Sequence, residues 1–241
     1  MNRPERGEGY GASARWYDVI YSFKDYAAEA EALRSIIDAH RPGARRLLDV
    51  ACGTGEHLRH LQAHFHVTGI DASPDMLAVA REKLPDVPLH LADMRSFDLG
   101  ETYDAAICMF GAMGHLADAA EVTAAIGCIA RHLTRPGVLI VEPWLSPEVF
   151  QDRHPSGLFV DQPALKLARL GISRRQGDRA ILDMHHLVAS PEGVESFVER
   201  MELSLFPHEV YRQAMLAAGM EVAFDPKGPM DRGLFTGTLP A

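Results

Sequence analysis

Short apolar runs alternate with amphipathic stretches along the chain as far as Glu142. The apolar runs, typical of strands covered on both faces, are Arg46–Ala51, His66–Asp71, Val87–Leu91, Tyr103–Phe110 and Gly137–Glu142. The stretches with helical spacing are Asp25–His40, Glu56–His64, Pro74–Lys83 and Glu121–Leu133. This alternation predicts an α/β fold with a doubly wound, mostly parallel sheet.

The pattern changes after Pro143. Residues 146–200 are rich in proline, glycine and charge, and contain alternating, strand-like pieces at Lys166–Arg175, Ala180–Ala189 and Ser196–Leu205. We interpret this part as an antiparallel β cap inserted after the fifth strand of one domain spanning residues 1–241. A helix at His208–Gly219 and strands at Met220–Phe224 and Gly233–Leu239 then complete a seven-stranded sheet. The polar, glycine-rich residues 1–13 predict a loose or surface-wrapped segment.

Composition narrows the classes of function. The chain has 241 residues, of which 47% are hydrophobic, as expected for a globular domain. Its formal net charge of -9 disfavours a nucleic-acid-binding surface, which would be basic. Three cysteines without a CxxC spacing suggest neither a disulfide framework nor a zinc site. The N-terminus lacks an apolar signal sequence, and the apolar runs are too short to span a bilayer. We therefore expect a cytoplasmic protein that binds no membrane, nucleic acid or metal.

A glycine turn follows the first predicted strand. Leu47–Gly55 reads LLDVACGTG, in which Gly53 and Gly55 allow close approach of a ligand. A dinucleotide-binding GxGxxG would need a third glycine, but Glu56, His57 and Leu58 follow. Asp49 lies before the turn, where it would repel a pyrophosphate. It suits a ligand with an ammonium and a sulfonium group, such as S-adenosylmethionine.

Two further acids end successive predicted strands. Asp71 can accept hydrogen bonds from ribose hydroxyls, Asp93 from an adenine amino group, and Met94 can pack on the adenine ring. Each acid alone could equally be a helix cap or begin a turn. Their order along the chain favours one cofactor site, because ligands of such sheets bind at the carboxyl ends of the strands.

These motifs carry a family resemblance. LLDVACGTG, GIDASPDML and LADMRSFDL resemble successive motifs of class I S-adenosylmethionine-dependent methyltransferases. The resemblance implies a Rossmann-like fold, S-adenosylhomocysteine as product and no metal. It also implies further cofactor contacts from Tyr26, Ala51, Ala72, Met76 and Met109.

A second resemblance covers almost the whole chain. WYDVIY, KDYAAEA, CMFGAMGHL, VEPW and GPMDRGLFTG look like the N,N-dimethyltransferases that act on dTDP-linked 3-amino-deoxysugars in macrolide biosynthesis, of the desosamine and mycaminose type. It implies N-methylation of a sugar amine and a homodimer. Asp71 departs from that family, which can have Glu there, so the particular sugar stays open.

Two residues are candidates for the catalytic site. His115 follows the fourth predicted strand, where a base can take the proton of the attacking amine. It could also be a solvated loop histidine or a helix cap. Tyr21 matches a tyrosine near the amine in the resembling family, and WYDVIY could also form a hydrophobic lid.

The resemblance also suggests residues that bind the acceptor. Arg232 suits the diphosphate, with Lys166, Arg169, Arg174 and Arg175 as further options. Trp144 either stacks on a ring or plugs the sheet end, and of the adjacent His185 and His186 one is expected to face the cavity. The expected acceptor-binding set is Tyr17, Tyr21, Phe110, Trp144, His185 and Arg232.

Other functions remain open at this point. The nearest alternative is an O- or C-methyltransferase acting on another small molecule. A nicotinamide-dependent dehydrogenase is disfavoured by Asp49 and the missing third glycine. A non-catalytic module that senses the cofactor would keep the same strand-end residues.

Overall fold

The computed structural model describes residues 6–8 and 10–241. Its helices are α1 Tyr17–Ile20, α2 Tyr26–His40, α3 Glu56–Leu61, α4 Pro74–Lys83, α5 Ala119–Arg131 and α6 His208–Ala217. Short 3-10 helices span Ala14–Trp16 and Ala112–His115. The strands are β1 Arg6–Glu8, β2 Arg46–Val50, β3 His66–Asp71, β4 Leu89–Leu91, β5 Tyr103–Cys108, β6 Leu133–Val141, β7 Pro155–Gln162, β8 Leu165–Gln176, β9 Arg179–Ser190, β10 Gly193–Ser204, β11 Glu221–Asp225 and β12 Leu234–Leu239.

The main sheet has seven strands in the order β11-β12-β6-β5-β2-β3-β4. Strands β6, β5, β2, β3 and β4 are parallel, and β12 and β11 join antiparallel at one edge. The predicted doubly wound, mostly parallel sheet is confirmed. Because the parallel strands share one direction, their carboxyl ends bring residues distant in sequence to one edge.

Helices cover both faces of the main sheet. Apolar residues of α2, α3 and α4 pack on one face, with Leu33, Ile37 and Leu58 fully buried against Leu47 and Ile107. Helices α5 and α6 pack on the other face. The central strands β2, β3, β5 and β6 are therefore covered on both faces, which is why they read as continuous apolar runs, whereas the edge strands β4 and β11 are largely exposed.

A second sheet has five strands in the order β1-β10-β9-β8-β7, and we call it the cap sheet. Its strands β7 to β10 form antiparallel neighbours, which confirms the expected β insertion. The sequence pattern missed β7, since Pro155 and Gly157 interrupt it and most of its residues are exposed.

Some predicted boundaries are wrong. Strand β6 begins at Leu133, where the pattern predicted the end of a helix, because Leu133 pairs with Tyr103 before the register shifts. Strand β5 ends at Cys108 rather than Phe110, whose backbone φ is +58°. In the segment predicted to be loose, Arg6–Glu8 forms a parallel strand with β10, while residues 1–5 and 9 lie outside the described residues. Of the helices described, none has the length and apolarity needed to cross a bilayer.

Candidate active site

Three cavities adjoin the carboxyl end of the main sheet. The sheet cavity, of about 510 Å³, lies over the ends of β2, β3 and β4. The turn cavity, of about 40 Å³, lies beside the glycine turn. The cap cavity, of about 440 Å³, lies between the main sheet and the inner face of the cap sheet. The sheet and turn cavities share Tyr17, Ala51, Gly53, Met109 and Phe110.

The glycine turn has the backbone that its sequence predicts. Ala51, Gly53 and Gly55 all have positive φ, of 60°, 56° and 79°. Gly55 is the residue before α3, and a Cβ there would lie 2.7 Å from Leu84 Cδ1. Gly55 therefore shapes the turn without lining a cavity among the described residues, whereas Ala51 and Gly53 line two.

Asp49 is a buried carboxylate at the turn cavity. It is 1% exposed, and its Oδ2 has no hydrogen-bond partner in the part of the chain that the structure describes. Burial raises the pKa of Asp49 to about 7, with Asp71 adding to the rise and His57 opposing it. An unpartnered buried acceptor fits a cationic ligand group, as the sequence suggested.

Asp71 connects the glycine turn to helix α4. Its Oδ2 accepts from the N–H of Gly53 at 2.7 Å, and its Oδ1 accepts from the N–H of Ser73 at 2.8 Å. Burial raises the pKa of Asp71, and these backbone hydrogen bonds oppose the rise. Each oxygen retains a second lone pair, so Asp71 can also accept from two ribose hydroxyls in the sheet cavity.

The end of the sheet cavity away from the glycine turn is more exposed than the region around Asp49 and Asp71. Asp93 accepts from the guanidinium of Arg95, which holds the pKa of Asp93 below its usual range. Three methionines and an alanine of the predicted cofactor set also line these walls: Ala72, Met76, Met94 and Met109. Apolar walls with one acid at the edge suit an adenine ring.

A cluster beside the turn cavity was missed by sequence reasoning. Glu29 forms an ion pair with Lys24 Nζ at 2.8 Å and lies 2.9 Å from His57 Nε2. Lys24 Nζ is fully buried, 4.1 Å from the ring centroid of Phe110, and His57 lines the turn cavity beside the expected Tyr26. KDYAAEA carries two of these residues, but only the fold brings His57 to them.

The sheet and cap cavities meet at a junction formed by Tyr10, Phe110 and His115, which line both. The hydroxyl of Tyr10 lies 3.3 Å from Nε2 of His115. His115 is exposed toward the two cavities, and the protein packed around its ring lowers the pKa of the imidazole. Burial raises the pKa of Tyr10, so this hydroxyl stays protonated. His115 is therefore a neutral imidazole at the point where the two cavities connect.

Buried Glu142 holds the wall of this junction. It directly follows β6, accepts from the Phe110 N–H at 2.7 Å, and lies 3.3 Å from Arg232 Nη2. The Arg232 guanidinium lies 5.1 Å from the ring of Phe110 and 5.2 Å from that of Trp144. Arg232 and Trp144 both line the cap cavity, but Arg232 is only 9% exposed.

The remaining predicted acceptor residues separate into two groups. The rings of Tyr17 and Tyr21 are in tilted contact, 4.6 Å between centroids, and Tyr21 lies 4.9 Å from Phe110 in the cap cavity. The Tyr21 hydroxyl accepts from Arg169 at 3.0 Å. His185 is not among the residues lining the cavities described here: it is exposed on the outer face of β9. His186 points inward but is buried against Phe197.

These residues fit S-adenosylmethionine. The orphaned Asp49 oxygen suits its ammonium group, Asp71 its ribose and the methionine-lined slot its adenine. Across the described residues, no group of three metal-ligating side chains is present.

Comparison with known proteins agrees with this fit. A methyltransferase domain model matches residues 47–137. The chain is 44% identical to the dTDP-3-amino-3,6-dideoxy-alpha-D-glucopyranose N,N-dimethyltransferase of Streptomyces fradiae, over 94% of this chain and 91% of that protein. The sugar N-methyltransferase KedS8 from Streptoalloteichus sp. ATCC 53650 is 42% identical, covers 100% of this chain and 98% of its own, and has a TM-score of 0.89.

One solved relative contains the cofactor. CalS10, an amino pentose methyltransferase from Micromonospora echinaspora, was solved with S-adenosylmethionine bound. It is 39% identical, covers 99% of both chains and has a TM-score of 0.84.

Proposed function

This chain belongs to the S-adenosylmethionine-dependent N,N-dimethyltransferases of dTDP-linked amino-deoxysugars, and from that premise we propose its acceptor and mechanism. The acceptor is the amino group of a dTDP-linked 3-amino-deoxysugar, which becomes N-methyl or N,N-dimethyl for natural-product glycosylation. A junction between two cavities carries the proposal: Tyr10, Phe110 and His115 line both the sheet cavity and the cap cavity. The sheet cavity suits the donor and the cap cavity the sugar.

S-adenosylmethionine, when bound, supplies a methyl group on a sulfonium, ready for an in-line displacement. Asp49, Asp71 and the methionine walls orient it, with Tyr17 and Tyr26 closing the turn cavity. Aligning the two reactants in this way can lower a barrier by up to ~7–11 kcal/mol. Positioning is therefore the main contribution of these residues.

The attacking amine must be neutral and must lose a proton. Nε2 of His115 accepts that proton, because its lowered pKa keeps the imidazole neutral at neutral pH. Before the transfer this nitrogen carries no proton, so the Tyr10 hydroxyl 3.3 Å away donates to it and orients the ring. Tyr21, packed on Phe110, positions the sugar amine against the methyl group.

An assay of the purified protein tests this function. Incubation with S-adenosylmethionine and a panel of dTDP-linked amino sugars, followed by mass spectrometry, should reveal one or two methyl-for-hydrogen replacements. Turnover of a phenol or catechol with every amino sugar unchanged would overturn the sugar assignment. The cofactor assignment fails separately if S-adenosylhomocysteine leaves the melting temperature unchanged.

We further propose that the protein is a homodimer that works in the cytoplasm. Large apolar side chains are exposed on the outer face of the cap sheet: Phe159 is 73% exposed, and Leu170, Ile172 and Leu187 accompany it. Such a patch suits burial against a second copy. The buried free cysteines, Cys52, Cys108 and Cys128, suit a reducing compartment. Light scattering should give twice the chain mass, and Phe159→Asp should shift it toward a single chain.

A further inference from the structure

We propose that Lys24 is a positioning residue for methyl transfer, which holds the ring of Phe110 in place where donor and acceptor meet. This inference rests on the proposed function and adds a residue outside the reactant cavities. Phe110 lines the sheet, turn and cap cavities. Lys24 lines none of these three cavities as the structure describes them. It can therefore influence the reaction only through its neighbours.

The ammonium group of Lys24 is buried. The side chain lies in the loop before α2 and is 0% exposed, and its Nζ pairs with Oε1 of Glu29 at 2.8 Å. Taking both charges out of water costs free energy that apolar side chains of similar size would not cost. Packing alone would therefore not require a lysine at this position, and its charge is the property to be explained.

Two aromatic rings lie within reach of this charge. Nζ of Lys24 is 4.1 Å from the ring centroid of Phe110 and 5.1 Å from that of Tyr26. A cation within about 6 Å of a ring centroid is attracted to the ring, and more strongly where water is excluded. Because Arg232 lies 5.1 Å from the same Phe110 ring, cations from both ends of the chain hold that ring. Tyr26 and Phe110 both line the turn cavity, so Lys24 fixes two of its walls.

The carboxylate of Glu29 connects Lys24 to the donor end of the site. Its second oxygen, Oε2, lies 2.9 Å from Nε2 of His57, which lines the turn cavity and meets the ring of Tyr26 edge-on. Burial raises the pKa of Glu29, but His57 and Lys24 together hold it below its usual range, so the carboxylate is ionised. One buried anion thus links the cation at Phe110 to the wall of the turn cavity.

This arrangement bears on the rate of the reaction more than on acceptor binding. An in-line displacement depends on alignment, and a shift of about 1 Å in a reacting group can cost roughly a hundredfold in rate. Displacement of the Phe110 ring would change the relative positions of sulfonium and amine after both reactants have bound. Lys24 is absent from the described walls of the cap cavity, so its loss should leave the affinity for the acceptor largely intact.

Steady-state kinetics at saturating S-adenosylmethionine, with a dTDP-linked amino sugar as the varied substrate, tests the proposal. The double variant Lys24→Met/Glu29→Gln removes both charges at similar volume, so that neither is left buried alone. Its kcat should fall roughly ten- to hundredfold, while KM for the sugar nucleotide stays near that of the wild type. Lys24→Arg, which keeps a cation beside the rings, should recover part of kcat. Arg34→Gln removes an exposed cation of α2 that pairs with Glu31 and Asp38, and should leave kcat unchanged.

Circular dichroism and thermal unfolding show which variants are folded, and Lys24→Met alone decides the matter if the double variant does not fold. The proposal is overturned if the folded charge-free variant keeps wild-type kcat while the wild type methylates a dTDP-amino sugar. It is also overturned if folded Lys24→Arg recovers nothing, since packing rather than charge would then be responsible. Failure of the wild type itself to methylate any such sugar would overturn the proposed function, and this inference with it.

Discussion

The buried carboxylate of Glu142 accepts a 2.7 Å hydrogen bond from the backbone N–H of Phe110, a residue 32 positions earlier whose φ is +58°. A positive φ is costly for an aromatic residue and persists only where its surroundings hold it. Here the other oxygen of Glu142 pairs with Arg232, whose guanidinium lies beside the Phe110 ring. Backbone and ring of Phe110 are thus fixed by one acid and its cation.

Glu142→Ala is expected to destabilise the fold by about 3–5 kcal/mol, because it leaves Arg232 buried without its counter-charge. Chemical denaturation followed by circular dichroism measures the loss. Glu142→Gln removes the same counter-charge but keeps an acceptor for the Phe110 N–H, so it should lose less stability than Glu142→Ala. Equal stability of Glu142→Ala and wild type would contradict this account.

His115→Ala is expected to lower kcat by roughly 10²–10⁴ if the imidazole takes the amine proton. The pKa of His115 is lowered, so the neutral form should persist at neutral pH, and activity due to this group should fall only at a pH below its ordinary 6.5. A pH profile of kcat for wild type and variant shows whether this acidic limb disappears. Tyr10→Phe serves as a comparison, since it removes the orienting hydroxyl but leaves the imidazole. A His115→Ala variant with nearly full kcat would show that His115 is not the base and that alignment of donor and acceptor accounts for the rate of methyl transfer.

Asp49→Asn is expected to weaken binding of S-adenosylhomocysteine and to remove its dependence on pH near neutrality. The pKa of Asp49 is about 7 without ligand, so an ammonium beside it should favour the ionised form and release a proton on binding. Calorimetry in buffers of different ionisation enthalpy counts that proton. Asp93→Asn is a control for the pH dependence alone: Asp93 is half-buried and already ionised beside Arg95, so its loss can weaken binding without changing the proton count near neutrality.

The same residue makes the stability of the unliganded protein depend on pH. A carboxyl with a raised folded pKa stabilises the fold below its unfolded pKa, about 3.9, and this contribution is lost as pH rises to about 7. Asp49→Asn should therefore reduce the fall in unfolding free energy between those two pH values. An unchanged slope would show that Asp49 is ionised throughout.

Gly55→Ala is expected to destabilise the protein by more than the usual cost of a left-handed alanine, about 1–2 kcal/mol. The new methyl group would lie 2.7 Å from Leu84 Cδ1, in addition to the strain of φ +79°. Gly43→Ala is a matched control, since Gly43 has φ +77° with nothing within 4 Å of a Cβ. Thermal unfolding of both variants isolates the steric part, and equal losses would mean that Leu84 simply moves aside.

The main sheet and the cofactor end of the site follow closely from sequence. Strands buried on both faces are recognisable in the sequence as apolar runs. Asp49 precedes the glycine turn and Asp71 ends the next strand, so the motif around the turn predicts both acids as cofactor ligands. The junction between the two cavities could not be predicted from the sequence. Tyr10 lies in a glycine-rich segment without periodicity, and the contact of Glu142 with Phe110 depends on which strands are neighbours.

The cap sheet shows the same limit. Arg169 and Arg174 are similar residues on opposite faces of β8, and only the packing of the cap sheet shows that Arg169 is on the inner face and Arg174 beside Asp183. His185 shows the opposite error, because its strand was expected but its inward orientation was wrong: it is exposed on the outer face. Choosing between two faces of a strand requires the tertiary structure.

The division of the site into a sheet cavity and a cap cavity has an evolutionary consequence. Tyr10, Phe110 and His115 belong to both, while residues such as Leu182, Met184 and Met201 line the cap cavity and not the sheet cavity as described. Substitutions of residues that line only the cap cavity can change which acceptor is bound while the affinity for the methyl donor is kept. The acceptor range of such an enzyme can therefore change through substitutions in one sheet, provided that the three shared side chains are kept.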